Sequence, residues 1–444
     1  MRRSTRMGRL FIICSVFLTS NLFVNSTLSA AELDPTEQAM VAFIDESNAE
    51  AMALLIELIN INSGSMNFAG VREVADILIP EFDALGFNAY WQDGTEWDRA
   101  GHLIAEHRGS GNGPKLLLIG HLDTVFEADS PFQVYEDLGG GIARGPGISD
   151  MKGGDIIMLQ ALRALESVGE LASMDVTVIM TGDEELSGRP LSLSKGDLIE
   201  AAKYADIALG FENGDGNWET ANISRRSSSG WTLEVNGKPA HSSQVFREDI
   251  GSGAIYEAAR ILMSFYTELR KEELLTFNPG RIMGGTTVNH DAASNSGTTF
   301  GKNNVVAESA IVTGDIRAIS PEQLQRVQQT MQALISENLP HTSATINFGD
   351  GYPPMAPTDG NRQLLSLYSQ ASQDLGLGVV RAVNPLMAGA ADVSFSAEHV
   401  DMAIDGLGMS GSAGHTVEET GILIALPQQA KRAALLMYRL QQNQ

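Results

Sequence analysis

Short apolar runs, each halted by a glycine or an acid and alternating with helix-period segments, decide what this chain can become. Leu116–Ile119 stops at Gly120, Val176–Met180 at Gly182, and Ile207–Phe211 at Glu212. Between the first two lies Ile156–Leu165, with apolar side chains at Ile156, Leu159, Leu162 and Leu165. Two further helical stretches precede them, Leu33–Ile61 and Val71–Leu85, the second closed by Gly86. A strand apolar along its whole length must be covered on both faces. The pattern therefore predicts an α/β fold, a mostly parallel sheet with helices on both faces.

Near Gly230 the rhythm changes. Trp231–Val235 alternates as a half-buried strand and Gly251–Arg270 is an amphipathic helix. Val305–Arg317 reads as a long strand, Pro321–Leu339 as a helix capped by Ser320, and Ala344–Phe348 as a strand. Beyond the proline-marked Tyr352–Pro357, helix–strand alternation resumes. A chain of 444 residues suits two or three domains. The expected division is a leader over 1–31, a main domain in two parts over 32–222 and 353–444, and an inserted α+β domain over 223–352.

The leader carries Arg2, Arg3, Arg6 and Arg9 before a mostly apolar Leu10–Val24, then the small residues Ser29, Ala30 and Ala31. That is the pattern of a cleavable export signal, so a secreted or periplasmic protein with no stable membrane span after its removal is expected. The only cysteine, Cys14, lies within it. Without it, thiolate metal sites and thiol nucleophiles are excluded. A formal charge of −25 repels phosphate backbones and argues against nucleic-acid binding.

Acids and an imidazole follow the expected strands. Gly120-His121-Leu122-Asp123-Thr124 closes the first, Gly182-Asp183-Glu184-Glu185 the second and Glu212 the third. Asp150 stands in the glycine-rich turn Gly145–Gly154, directly before a helix. Open α/β sheets gather ligands outside the carboxyl ends of their strands. So many carboxylates in one crevice oppose each other's ionisation unless cations intervene. Imidazole with carboxylates suits zinc, and an acid spanning a pair of ions would hold a water between them. His121 is the nitrogen ligand this pattern offers, with Asp123 suited to orienting its ring. Of the adjacent Glu184 and Glu185, one can coordinate while the other takes a proton. His102, His107, His290, His341 and His399 lack such company, and Ser410 and Ser412 lack a nucleophile-elbow setting.

These motifs, His121-Leu122-Asp123, Ser149-Asp150-Met151-Lys152-Gly153-Gly154 and Asp183-Glu184-Glu185, resemble those of the di-zinc metallopeptidase family of glutamate carboxypeptidase, acetylornithine deacetylase and succinyl-diaminopimelate desuccinylase. The resemblance implies two Zn²⁺ per subunit, replaceable by Co²⁺ or Mn²⁺. Asp150 would bridge the ions, His121 and Glu212 completing one site, Glu185 and His415 the other. Glu184 would be the general base toward a bridging water, with Asp123 behind His121. The inserted domain resembles the family's lid and dimerisation domain, implying a homodimer. There Gly237-Lys238-Pro239-Ala240-His241-Ser242 matches a motif whose histidine enters the partner's site. Asn304-Val305-Val306 and Asp315-Ile316-Arg317 match segments that hold a substrate carboxylate, and Gly389-Ala390-Ala391-Asp392 a substrate loop, with Ala391 where Ser or Thr is more usual. The implied activity is a zinc carboxypeptidase acting on small peptides or N-acyl amino acids. A deacylase or dipeptidase with the same site, and a catalytically silent binding protein, are the alternatives.

Overall fold

The computed structural model describes Met1, residues 32–292 and residues 294–442; the expected leader, with Cys14, lies outside the described residues. A six-stranded sheet has the order Asn88–Asp93, Gly101–His107, Val176–Thr181, Leu116–His121, Ile207–Gly210, Met402–Ile404. The last four strands are mutually parallel, and the first two join antiparallel at one edge. Leu116–His121 and Val176–Thr181 are buried at every position, as their unbroken apolar character requires.

Alternation along Leu116–Ile119 divides the core. Leu116 and Leu118 join the side covered by the helices Pro35–Ile59, Phe68–Ala84, Lys152–Ser167 and Ala425–Gln442. Leu117 and Ile119 pack with Leu198 and Ala202 of the helix Gly196–Tyr204 on the other. Asp34 starts the first helix with a capping box, accepting from the Glu37 amide at 2.8 Å while Glu37 accepts from the Asp34 amide at 3.0 Å.

A second, antiparallel sheet has the order Thr276–Gly285, Ser309–Arg317, Ser229–Asn236, Ser343–Phe348. Trp231, Leu233 and Val235 alternate into a separate core with Phe265 of the helix Ala254–Leu269 and Val327 of the helix Pro321–Leu334. The expected strand from Val305 begins only at Ser309, because Val305 and Val306 pair instead with His241 and Ala240. The strand Thr276–Gly285 and the hairpin Thr287–Asp291/Ser296–Phe300 escape sequence patterning: their surfaces are largely exposed and interrupted by Pro279, Gly280, Gly284 and Gly285. Two chain segments connect the units as a short antiparallel ribbon, Arg225 paired with Met355 and Ser228 with Tyr352. Among the described residues, no helix is long and apolar enough to cross a membrane.

Gly154 lets the helix Lys152–Ser167 approach the end of the third parallel strand. A Cβ there would lie 2.0 Å from the Phe211 carbonyl oxygen, one residue before Glu212. Gly154→Ala is expected to cost roughly 1–3 kcal/mol of stability by overpacking. Denaturant unfolding, with metal titration alongside, measures both the loss and the accompanying displacement of Glu212.

Candidate metal centre and active site

His121 is the last residue of its strand and is 1% exposed. Its Nε2 faces Asp150 Oδ1 and Glu212 Oε1, each at 3.3 Å. Asp150 turns its other oxygen, Oδ2, toward His415 Nε2 at 3.0 Å, and His415 Nε2 lies 3.2 Å from Glu185 Oε2. Two groups of three donors, His121/Asp150/Glu212 and Asp150/Glu185/His415, thus share one carboxylate. Each comes from a different stretch of chain just past a strand end or from the late loop.

The protein's own charges balance this arrangement poorly. Burial pushes Glu185 up to about 7 against the pull of His415. Hydrogen bonds that it donates to the Asp150 and Glu185 carboxylates hold His415 up at about 11. Burial and then the Asp392 and Glu212 charges hold Glu184 well above the usual carboxylate range. Burial opposes ionisation of Asp150 as well, yet the two imidazoles hold it below its ordinary value. Glu185 Oε1 is buried without a hydrogen-bond partner. An orphaned carboxylate oxygen beside mixed imidazole and carboxylate donors fits a pair of divalent cations of the zinc type.

Supporting groups fix each donor. Asp123 is fully buried; its carboxylate accepts from Ser65 Oγ at 2.5 Å and from the amides of Glu184 and Glu185 at 3.0 and 3.1 Å. Toward the His121 ring, the nearer partner of Nδ1 is the Asp123 main-chain carbonyl at 3.0 Å, with the carboxylate at 3.5 Å. Asp123 therefore orients the imidazole chiefly through its backbone, and its carboxylate is spent on the Glu184–Glu185 turn. Asp405 accepts from the Glu212 amide at 3.3 Å and pairs with Arg225 at 2.6 Å. Lys195, fully buried, joins Asp183 and Asp392 at 2.9 and 3.0 Å beneath the same turn.

Glu419 gives the Asp150 loop its shape. Its Oε1 accepts from the amides of Ser149 and Asp150 at 2.9 and 3.1 Å and from Ser149 Oγ at 3.0 Å, while Oε2 takes the Gly147 amide at 3.3 Å. Lys152, also buried, donates at 2.8 Å to the carbonyls of Leu58 and Ile61, closing the end of the first helix. Sequence reasoning missed Ser65, Glu419, Asp405 and Lys195 as site-builders. Only Glu419 carried a signal, standing four residues after His415 in one short motif.

The remaining expected residues fall elsewhere. His241 and Asn304 are adjacent in the second unit, where the Ser242 amide donates to the Asn304 carbonyl at 2.9 Å and His241 Nδ1 meets Ser243 Oγ at 2.8 Å. Arg317 ends the strand Ser309–Arg317, its Nε 3.2 Å from Asp315. None of these contacts reaches the five-residue donor cluster or Glu184. Gly389 lies in the loop before Asp392, its carbonyl 3.4 Å from Arg225 Nη1. His102 is structural, stacked on Trp97 at 5.2 Å with Nε2 2.7 Å from the Ser194 carbonyl.

The model of peptidase family M20/M25/M40 matches residues 117–439, which span the three strand ends and the late histidine. The chain belongs to this family. It is therefore a hydrolytic enzyme, a metallopeptidase or amidohydrolase. Carboxypeptidase G2 of Pseudomonas sp. (strain RS-16) is 26% identical over 436 residues, covering 96% of both chains. Aminoacylase-1A of Rattus norvegicus is 25% identical over 304 residues, 64% of this chain and 71% of its own. A dinuclear metal-binding family peptidase of Bacillus subtilis has the same fold, with a TM-score of 0.61 at 15% identity over 90% of this chain and 99% of that one.

Because Glu419 sets the loop that aims Asp150, Glu419→Gln, which replaces an acceptor oxygen by a donor NH₂, is expected to weaken metal binding roughly 10- to 100-fold. Isothermal titration with Zn²⁺ against the metal-free protein measures this directly.

Proposed function

We propose that the protein is a secreted or periplasmic zinc-dependent carboxypeptidase that hydrolyses the amide bond before a C-terminal amino acid. The observation that carries this is Asp150 facing one imidazole with each of its oxygens. Full-length similarity to carboxypeptidase G2 supports the carboxypeptidase class, and the leader sequence supports export. Two divalent cations, held by His121, Asp150 and Glu212 and by Asp150, Glu185 and His415, would polarise the scissile carbonyl and make water acidic enough to be deprotonated.

Glu184 is the group left to move protons. It takes one from the attacking water and returns it to the leaving amine nitrogen, acting as base and then acid. Burial and neighbouring acids raise its affinity for a proton, as a proton acceptor requires. Asp123 keeps Glu184 in register through its backbone amide. Arg317 would grip the carboxylate of the released residue with a guanidinium fork, Asn304 contributing a polar contact and the Gly389 loop lining the substrate.

His241 belongs to the site of a second subunit, donating to the negative oxygen of the tetrahedral intermediate. Its hydrogen bonds, made to Ser243 within its own unit, support this, as does the apolar exposure of the same unit: Phe246, Tyr256, Met263 and Ile282 are all more than half exposed. The dimer would form through this unit. A deacylase of N-acyl amino acids is the second reading, favoured by the similarity to aminoacylase-1A.

A panel of acyl-glutamates, dipeptides and N-acetyl amino acids on zinc-loaded protein separates the two. Turnover confined to N-acetyl amino acids would select the deacylase. Glu184→Gln is expected to lower kcat by roughly 10²- to 10⁴-fold with the metal stoichiometry unchanged. Mixing subunits of Glu184→Gln and His241→Ala, each inactive alone, is expected to restore activity. A mixed dimer holds one site with both functional groups, and failure to complement would place His241 outside the partner's site.

A further inference from the structure

Tyr352 sits in the connecting ribbon, its main chain hydrogen-bonded in both directions to Ser228. Its ring packs edge-on against Phe395 with centroids 4.8 Å apart. The hydroxyl meets Ser187 Oγ at 2.9 Å, Asp392 Oδ1 at 3.0 Å and the Glu184 carbonyl oxygen at 3.2 Å. A phenol carries one proton, and the carboxylate and carbonyl only accept, so that proton is shared between them while Ser187 donates to the phenol oxygen. Burial, then the charges of Asp392 and Glu184, hold Tyr352 well above the ordinary tyrosine range, so it stays a donor.

Asp392 has other support. It pairs with Lys195 at 3.0 Å and accepts from Thr181 Oγ1 at 2.5 Å. The distinctive partner of the phenol is the Glu184 carbonyl, whose peptide N–H, that of Glu185, Asp123 already grips at 3.1 Å, as it does the Glu184 N–H at 3.0 Å. The turn that carries Glu184 is thus held from the metal side by Asp123 and from the ribbon by Tyr352. We infer that Tyr352 is a positioning residue for Glu184, its hydroxyl coupling the turn that carries the base to the ribbon on which the second unit is mounted. The inference rests on Glu184 being the base.

The test compares full-length, zinc-loaded wild type with Tyr352→Phe, which keeps the ring and leaves Asp392 paired. With metal stoichiometry unchanged, kcat is expected to fall roughly 10- to 100-fold and KM to stay within about threefold. Deuterium exchange at the Glu184 and Glu185 amides is expected to quicken roughly tenfold, because the turn opens locally more often. An unchanged kcat, a loss confined to KM, or unchanged exchange overturns the inference. Should wild type turn over no substrate, the reaction assignment fails by itself and the exchange comparison decides the role of Tyr352. Should Tyr352→Phe not fold, Ser187→Ala strips the donor from the phenol oxygen. A smaller fall in kcat with quicker exchange supports the role, and wild-type behaviour in both overturns it.

Discussion

Charge crowding at Asp150 governs the architecture around it. One carboxylate faces two imidazoles, with Glu185 and Glu212 flanking them, all near the carboxyl ends of parallel strands or in loops that fold over them. Such a group repels itself unless positive charge stands between its members. The fold holds the donors together by spending polar groups behind them, and those groups are themselves buried. Asp123, Lys195, Asp405 and Glu419 are all fully shielded from water, each paired to donors or charges that satisfy it.

Each support reaches across the sequence, which makes the centre a property of the tertiary fold. Ser65 secures Asp123, Asp123 secures the Glu184–Glu185 turn, and Lys195 braces that turn against Asp392. Arg225 enters from the ribbon to hold Asp405, which in turn holds the Glu212 amide. One limb of the ribbon thus reaches the Glu184 carbonyl directly through Tyr352, and the other reaches Glu212 through Asp405. The second unit, with its own hydrophobic core, is mounted on that ribbon.

Much of this is legible in the sequence. Unbroken apolar runs such as Leu116–Ile119 could only be strands covered on both faces, so the parallel sheet followed from burial alone. His121, Asp150, Glu185 and Glu212 announced themselves by standing at strand ends or in a glycine-rich turn. His415 did not: nothing local distinguishes it, and family resemblance alone pointed to it. The supports stayed hidden for a physical reason. Asp405 looks like any surface charge until Glu212, 193 residues earlier, is folded against it, and Lys195 until Asp392, 197 residues later, joins its near neighbour Asp183. Exposed pieces such as the hairpin after Gly285 carried too little apolar pattern to be seen.

The ligand order along the chain has a consequence for synthesis. His121, Asp150, Glu185 and Glu212 all precede the second unit, whereas His415 and Glu419 follow it, Glu419 bonding to a residue 269 positions earlier. A nascent polypeptide halted anywhere within the second unit owns one complete donor triplet and two members of the other, and lacks the clasp that shapes the shared carboxylate. The second donor triplet and its clasp thus close only once His415 and Glu419 have been made, well after the parallel strands they fold against.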